Sequence, residues 1–233
     1  LEKNSATANV FNTLDEGSSK TQQWVEKNQN IILSLVAVIA LSVIGIYLYS
    51  NFVIKPKEQK AFNEMYYSQK KFDEAILINN DSLYNLVLNG DGTNLGMLDM
   101  IDEYGGTSAA NLAAYYSGMI YLKMNDYQNS IKYLSEFNSD DMILGSLATG
   151  SIGDAFAELN QFEDAYEYYV KASKNNNSYT SPIYLFKAGL IAMKLEKFKK
   201  AEGYFSSIKS DYSKSSEAKN IDAYISKARA SYQ

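Results

Sequence analysis

Three glycines, Gly118, Gly153 and Gly189, stand 35 and then 36 residues apart inside stretches whose apolar residues follow a helical spacing. A glycine in a helix interior is worse than alanine by about 1 kcal/mol. One that recurs at a fixed offset from the same neighbours marks a place where two helices approach too closely for a β-carbon. Gly153 is followed at three-residue steps by Phe156, Leu159, Phe162 and Ala165. Gly189 is followed at the same offsets by Ala192, Leu195, Phe198 and Ala201, and Gly118 by Tyr121, Met124, Tyr127 and Ser130. A period in this range, each unit a helix, a short polar turn and a second helix, predicts a helical solenoid.

This pattern resembles the tetratricopeptide repeat (TPR), with its small residue in the first helix, aromatic three positions on and small residue in the second helix. That resemblance implies nested antiparallel helix pairs, with the three glycines as contact points inside each pair. The clear repeats are expected over 111–144, 146–173 and 182–208. Ser181 and Pro182 are expected to open the third as N-cap and N1.

A second constraint is the run from Ile31 to Ile54, "IILSLVAVIALSVIGIYLYSNFVI". About 20 helical residues cross a bilayer core of roughly 30 Å. This run follows some thirty polar residues and ends among Tyr47, Tyr49 and Phe52, which fits a retained anchor better than a cleaved signal. The segment 31–54 is therefore expected to be a single transmembrane helix contacting the lipid bilayer, with 1–30 a flexible polar tail. Trp24 and the lysines Lys55, Lys57 and Lys60 would lie at the two interfaces, and Pro56 would break or re-aim the helix.

The region 55–233 is expected to form the TPR domain. A degenerate repeat is read over 56–80, with Tyr66, Phe72 and Ala75 in the aromatic and small positions and Asn63 in place of the glycine. Residues 81–106 are read as an insertion that loses helical periodicity before "LGMLDMIDEY", and Thr107 or Ser108 is expected to cap the next helix. A capping helix over 214–231 should cover the last repeat with Ile221, Tyr224, Ile225 and Ala228. The fold class is thus all-α: one transmembrane helix followed by a TPR solenoid with a C-terminal capping helix.

Composition narrows the chemistry. The chain has no cysteine and no histidine, which removes thiolate sites and the commonest general base and transition-metal ligand. A net charge of −5 with one arginine, Arg229, argues against nucleic-acid binding. "NGDGTN" lacks the spaced carboxylates of a calcium loop and reads as a tight turn. Gly150, Ser151 and Gly153 have the wrong spacing for a nucleophile elbow. No catalytic residue, metal, cofactor or small-molecule substrate is expected, and the chain is read as non-enzymatic.

A TPR array offers a concave groove lined by the first helix of each repeat. The repeat register places Leu112, Tyr115, Met119 and Lys123 there from the first clear repeat, Asp154 and Glu158 from the second, and Phe186, Leu190 and Lys194 from the third. Aromatic and methionine surfaces suit adaptable apolar contact, so binding is expected to rest largely on Tyr115, Met119, Phe186 and Leu190. In TPR modules that clamp chaperone peptides by their carboxylate ends, lysines and asparagines stand where this chain has Tyr115, Met119, Gly150 and Asp154, so that ligand is not implied.

A short tail, one span and a TPR domain resemble the YfgM-like family in a form found in the Bacteroidetes. That resemblance implies an ancillary subunit of the Sec translocon, anchored in the bacterial inner membrane with its amino terminus cytoplasmic and its TPR domain periplasmic. Its partners would be translocon subunits, exported polypeptides or chaperones. Charge counting, with Lys20 and Lys27 before the span and three lysines after it, slightly favours the opposite orientation. The alternative reading is a structural scaffold or assembly subunit of an envelope or cell-division complex.

Overall fold

The computed structural model describes the backbone of residues 3–233 and the side chains of residues 24–233. It divides into two compact units, 1–56 and 57–233. In the first, helix α1 runs over Lys3–Tyr49. Its helical backbone includes most of the segment read as a tail, of which residues 1 and 2 lie outside the described residues. The apolar stretch is long enough to cross a membrane, and none of it is buried within the protein. This separates it from the core helix of a globular domain, which hides its apolar surface. Polar groups near and within the stretch are satisfied locally: Ser42 Oγ donates to the Val38 carbonyl at 2.8 Å and Asn51 Nδ2 to the Tyr47 carbonyl at 2.9 Å.

Pro56 does not break the helix as expected. Over Ser50–Ile54 the backbone widens into a π-helical turn, and the Lys55 N–H donates to the Ser50 carbonyl five residues back. Helix α2, Lys55–Ile78, then continues through the proline. A widened turn is a common way to accommodate a disturbed hydrogen-bond ladder, here the one that proline's missing N–H interrupts.

The second unit continues with α3 (Asp81–Asn89), α4 (Met97–Glu103) and three helix pairs. These are α5 (Ser108–Lys123) with α6 (Tyr127–Glu136), α7 (Met142–Glu158) with α8 (Phe162–Ser173), and α9 (Ser181–Lys194) with α10 (Phe198–Asp211). The last helix, α11, spans Ile221–Ala230. From α4 onward each helix packs mainly on its sequence neighbours, the arrangement of a solenoid.

The glycines occupy the contacts assigned to them. A β-carbon on Gly118 would stand 2.5 Å from Leu134 Cγ, and one on Gly153 2.8 Å from the Tyr169 ring. One on Gly189 would overlap the ring of Phe205. Gly150 has an equally close neighbour in Tyr184, which joins the second pair to the third. The turns inside the pairs repeat just as closely. Asn125, Asn160 and Glu196 adopt left-handed conformations with φ of 61°, 58° and 57°. The next N–H, from Asp126, Gln161 or Lys197, reaches back to the carbonyl of Tyr121, Phe156 or Ala192 at 2.8–2.9 Å. These bonds satisfy helix-end carbonyls in the manner of a Schellman motif.

The amino-terminal part of this unit departs from expectation. Residues 56–80 form no helix pair, because α2 passes unbroken through them. Lys70 stands where a left-handed asparagine would reverse the chain, and the first such residue is Asn79, φ 54°. The insertion is also more ordered than its sequence suggests. Asn80 caps α3 by accepting from the Leu83 N–H at 3.1 Å, and Tyr84, Val87 and Leu88 are buried with Met97 and Met100 of α4 against Met65 and Ala75. Nine residues are too few for the helical period to stand out. "NGDGTN" is a tight turn, in which Asp91 accepts from the Thr93 and Asn94 N–H groups at 2.9 and 2.7 Å.

Thr107 caps α5 through the Ala110 N–H. At α9 the N-cap is Thr180, one residue earlier than expected. The capping helix begins at Ile221 rather than 214, after a left-handed Asn220. Ile221, Ile225 and Ala228 are buried against the last pair and Tyr224 packs beside them.

Two glycines of neighbouring helices give opposite expectations. Gly189→Ala should lower the thermal midpoint, by about 1–3 kcal/mol of stability, because Phe205 has no room to retreat. Gly203→Ala, on exposed α10 with nothing within 4 Å of the new methyl, should raise stability by up to about 1 kcal/mol. Equal responses in thermal unfolding would refute the close-contact account. Glu196→Gly should also stabilise, by about 1 kcal/mol, since a left-handed conformation burdens a residue with a side chain; a lowered midpoint would show that the Glu196 side chain contributes more than its backbone costs.

Candidate functional groove

The register that places the glycines also aligns the first helices α5, α7 and α9. Where they converge with α8, a surface cavity of about 500 Å³ opens among Lys123, Tyr127, Asp154, Glu158, Tyr169 and Lys187, with Leu122, Asn125 and Ala157 completing its wall. Its centre is polar. Lys187 Nζ on α9 donates to both carboxylate oxygens of Asp154 on α7 at 2.6 and 2.8 Å. The Tyr169 hydroxyl on α8 donates to Asp154 Oδ1 at 2.7 Å. One carboxylate therefore ties three helices of two repeats together. The Lys187 ammonium also lies 5.6 Å from the ring centroids of Tyr169 and Tyr184, within cation–π range.

Around this anchored centre stand groups free to meet a ligand. Lys123 and Glu158 are exposed, one of each charge. The Tyr127 hydroxyl donates to Asn125 Oδ1 at 3.0 Å. Partial desolvation and the nearby Glu158 carboxylate raise the Tyr127 phenol above its ordinary range. Tyr169 and Tyr184 are raised further, chiefly by burial and then by the negative Asp154.

Of the nine residues projected onto the groove, Lys123, Asp154 and Glu158 meet in this cavity. The apolar ones mostly pack elsewhere. Tyr115 is only 8% exposed and lies against Leu134, Ala148 and Ile152, with Phe137 at a ring distance of 5.2 Å. Leu112 and Met119 pack against the same cluster. Phe186 sits edge-on to Tyr224 of the capping helix at 4.9 Å and tilted against Phe205 at 5.8 Å. Leu190 is 41% exposed but outside the cavity. The Lys194 ammonium lies over the Phe162 ring at 3.5 Å. Most of the apolar residues of the expected groove thus pack between helices, and the cavity is lined mainly by polar and charged side chains.

Tyr169 and Lys187 were missed by the projection. Tyr169 belongs to a second helix, and Lys187 lies two residues before Gly189, off the positions assigned to the concave face. The available signal was the single lysine inside the otherwise apolar "YLFKAGLIAM", a charge that needs a partner when partly buried.

Residues 112–140 match the family model of the tetratricopeptide repeat. The matched stretch covers α5 from residue 112, all of α6 and part of the connection beyond, in the first of the three helix pairs. No curated protein matches the chain.

Two measurements test this arrangement. Lys187→Met should destabilise by about 1 kcal/mol, because the ion pair is roughly one third exposed and only partly shielded; Asp154→Asn in the same chain should recover part of the loss. For the tyrosines, a folded pKa above the unfolded value means stability is intact below about pH 10 and is lost as pH rises beyond it. Absorbance titration should show Tyr169→Phe and Tyr184→Phe each removing one late-ionising phenol. Ionisation of both near pH 10 in the folded chain would contradict the buried geometry.

Proposed function

We propose that the chain is a membrane-anchored, non-enzymatic TPR module that binds polypeptide in the groove centred on Asp154. The observation that carries this reading is the cavity itself, a polar recess held open by the Lys187–Asp154–Tyr169 contacts and lined by an exposed cation, Lys123, and an exposed anion, Glu158. Mixed charge beside aromatic rings suits an extended main chain with varied side chains, since donors and acceptors are both available and the walls need little reorganisation. The matched repeat supports protein partners, and the exposed apolar stretch supports a single membrane pass.

The YfgM-like resemblance extends this reading to an ancillary subunit of the Sec translocon, with residues 31–54 in the inner membrane and the repeats in the periplasm. Exported polypeptides or chaperones would then occupy the groove.

A photo-crosslinker at residue 123 or 158, with residue 132 on α6 as control, tests the reading in intact cells. A spread of unfolded exported chains captured at 123 and 158 is expected. A single stoichiometric protein would favour an assembly subunit of an envelope or cell-division complex, and capture no greater than at 132 would refute the groove. For orientation, protease entering through a permeabilised outer membrane should digest the chain beyond Lys60; protection of the repeats would place them in the cytoplasm.

A further inference from the structure

The turns inside the three helix pairs occupy one edge of the solenoid, and their charges differ sharply at equivalent positions. Three positions after the left-handed residue begins the run Gln128–Asn129 after Tyr127 in the first turn, Glu163–Asp164 after Phe162 in the second and Lys199–Lys200 after Phe198 in the third. The third turn also holds Lys194 and Lys197 against a single carboxylate, Glu196. Lysines there lie at the start of α10, where the helix dipole already presents positive charge and no side chain caps the end. The acidic pair lies at the start of α8, where the dipole favours it.

These neighbouring charges do not neutralise one another. Among the described residues, Glu163, Asp164, Lys197, Lys199 and Lys200 form no ion pair. The lysines lie on aromatic faces instead: Lys197 and Lys200 over Tyr166 at 4.6 and 5.8 Å, and Lys199 over Tyr232 at 5.5 Å. Stacking on rings lowers the freedom of these side chains while leaving Lys199 and Lys200 exposed, so less entropy is lost when they meet an anion.

We infer that this edge is a self-complementary interface through which two copies of the chain associate about a two-fold axis. The acidic second turn of one copy meets the basic third turn of the other, and the contact occurs twice. A two-fold contact requires a surface that carries both halves of its own complement, which adjacent patches of opposite charge provide. A uniformly anionic partner, such as a lipid surface or polyphosphate, would gain the lysines but be repelled by Glu163 and Asp164. The groove cavity includes none of the charged residues of this contact, Glu163, Asp164, Lys197, Lys199 and Lys200.

Charge reversal of the full chain in a non-ionic detergent tests it by sedimentation equilibrium. The wild type should be dimeric at low salt and shift toward monomer at about 0.5 M salt, where screening acts over only a few ångströms. Lys199→Glu with Lys200→Glu, and separately Glu163→Lys with Asp164→Lys, should each weaken association at least about tenfold. An equimolar mixture of the two reversed chains should associate again as a heterodimer, because the all-acidic edge of one meets the all-basic edge of the other at both contacts; a mixture that stays monomeric would count against the inference. The chain bearing all four changes should dimerise again, since its edge has merely exchanged signs. Circular dichroism verifies that each variant remains helical; a variant that loses helicity is replaced by Lys199→Gln with Lys200→Gln, which should weaken association in the same direction. A wild type that stays monomeric at low salt, a dimer insensitive to both reversals, or failure of the four-fold variant to recover would overturn the inference.

Discussion

The structure depends on how closely two helices of a pair can lie. At Gly118, Gly153 and Gly189 the partner's side chain occupies the volume a β-carbon would need. That proximity places Leu134, Tyr169 and Phe205 where they can be buried, and through Tyr169 it delivers a hydroxyl to Asp154. Loss of the contact would therefore be felt both in the core and in the groove. Dispersion falls steeply with separation, so a shift of a fraction of an ångström at the pair interface weakens many contacts together.

The repeats were legible because this constraint acts on residue identity. Only glycine or another small residue satisfies it, and the same geometry recurs every 35 or 36 residues. The apolar stretch was legible for a related reason: nineteen residues from Ile31 to Tyr49 carry no charge at all, and the helix they form is long enough to cross a bilayer. The segment 56–106 was read less well. Its helices α2, α3 and α4 pack through Met65, Tyr84, Met97 and Met100, large side chains that satisfy one another by shape and follow no repeat. A helix of nine residues also offers too little length for a period to emerge.

The groove was half legible. Register arithmetic identifies which side of a first helix a residue occupies, and it found Lys123, Asp154 and Glu158. It cannot report whether a neighbouring helix already covers that side. Tyr115 and Phe186 project from the same side of their helices as Asp154, yet Ile152 helps to bury the first and Tyr224 partly covers the second. Large rings are drawn into the gaps between repeats because burial of an aromatic side chain is among the largest favourable terms open to it. The charged side chains of the first helices, Lys123, Asp154 and Glu158, are left lining the cavity.

Within the three helix pairs, contacts lie mainly between sequence neighbours, which has a consequence for how that part of the chain acquires its structure. No strand must wait for a distant partner, and each pair closes over a turn of a few residues, Asn125–Asp126 in the first and Asn160–Gln161 in the second. Loop closure over such short separations is fast. A pair can thus become compact once its own stretch of chain is free, while the remainder is still unfolded or threading through a narrow passage. The last surface to be sealed would be that beneath Ile221, Ile225 and Ala228, so nascent chains pass through a stage in which the terminal pair is formed but uncovered.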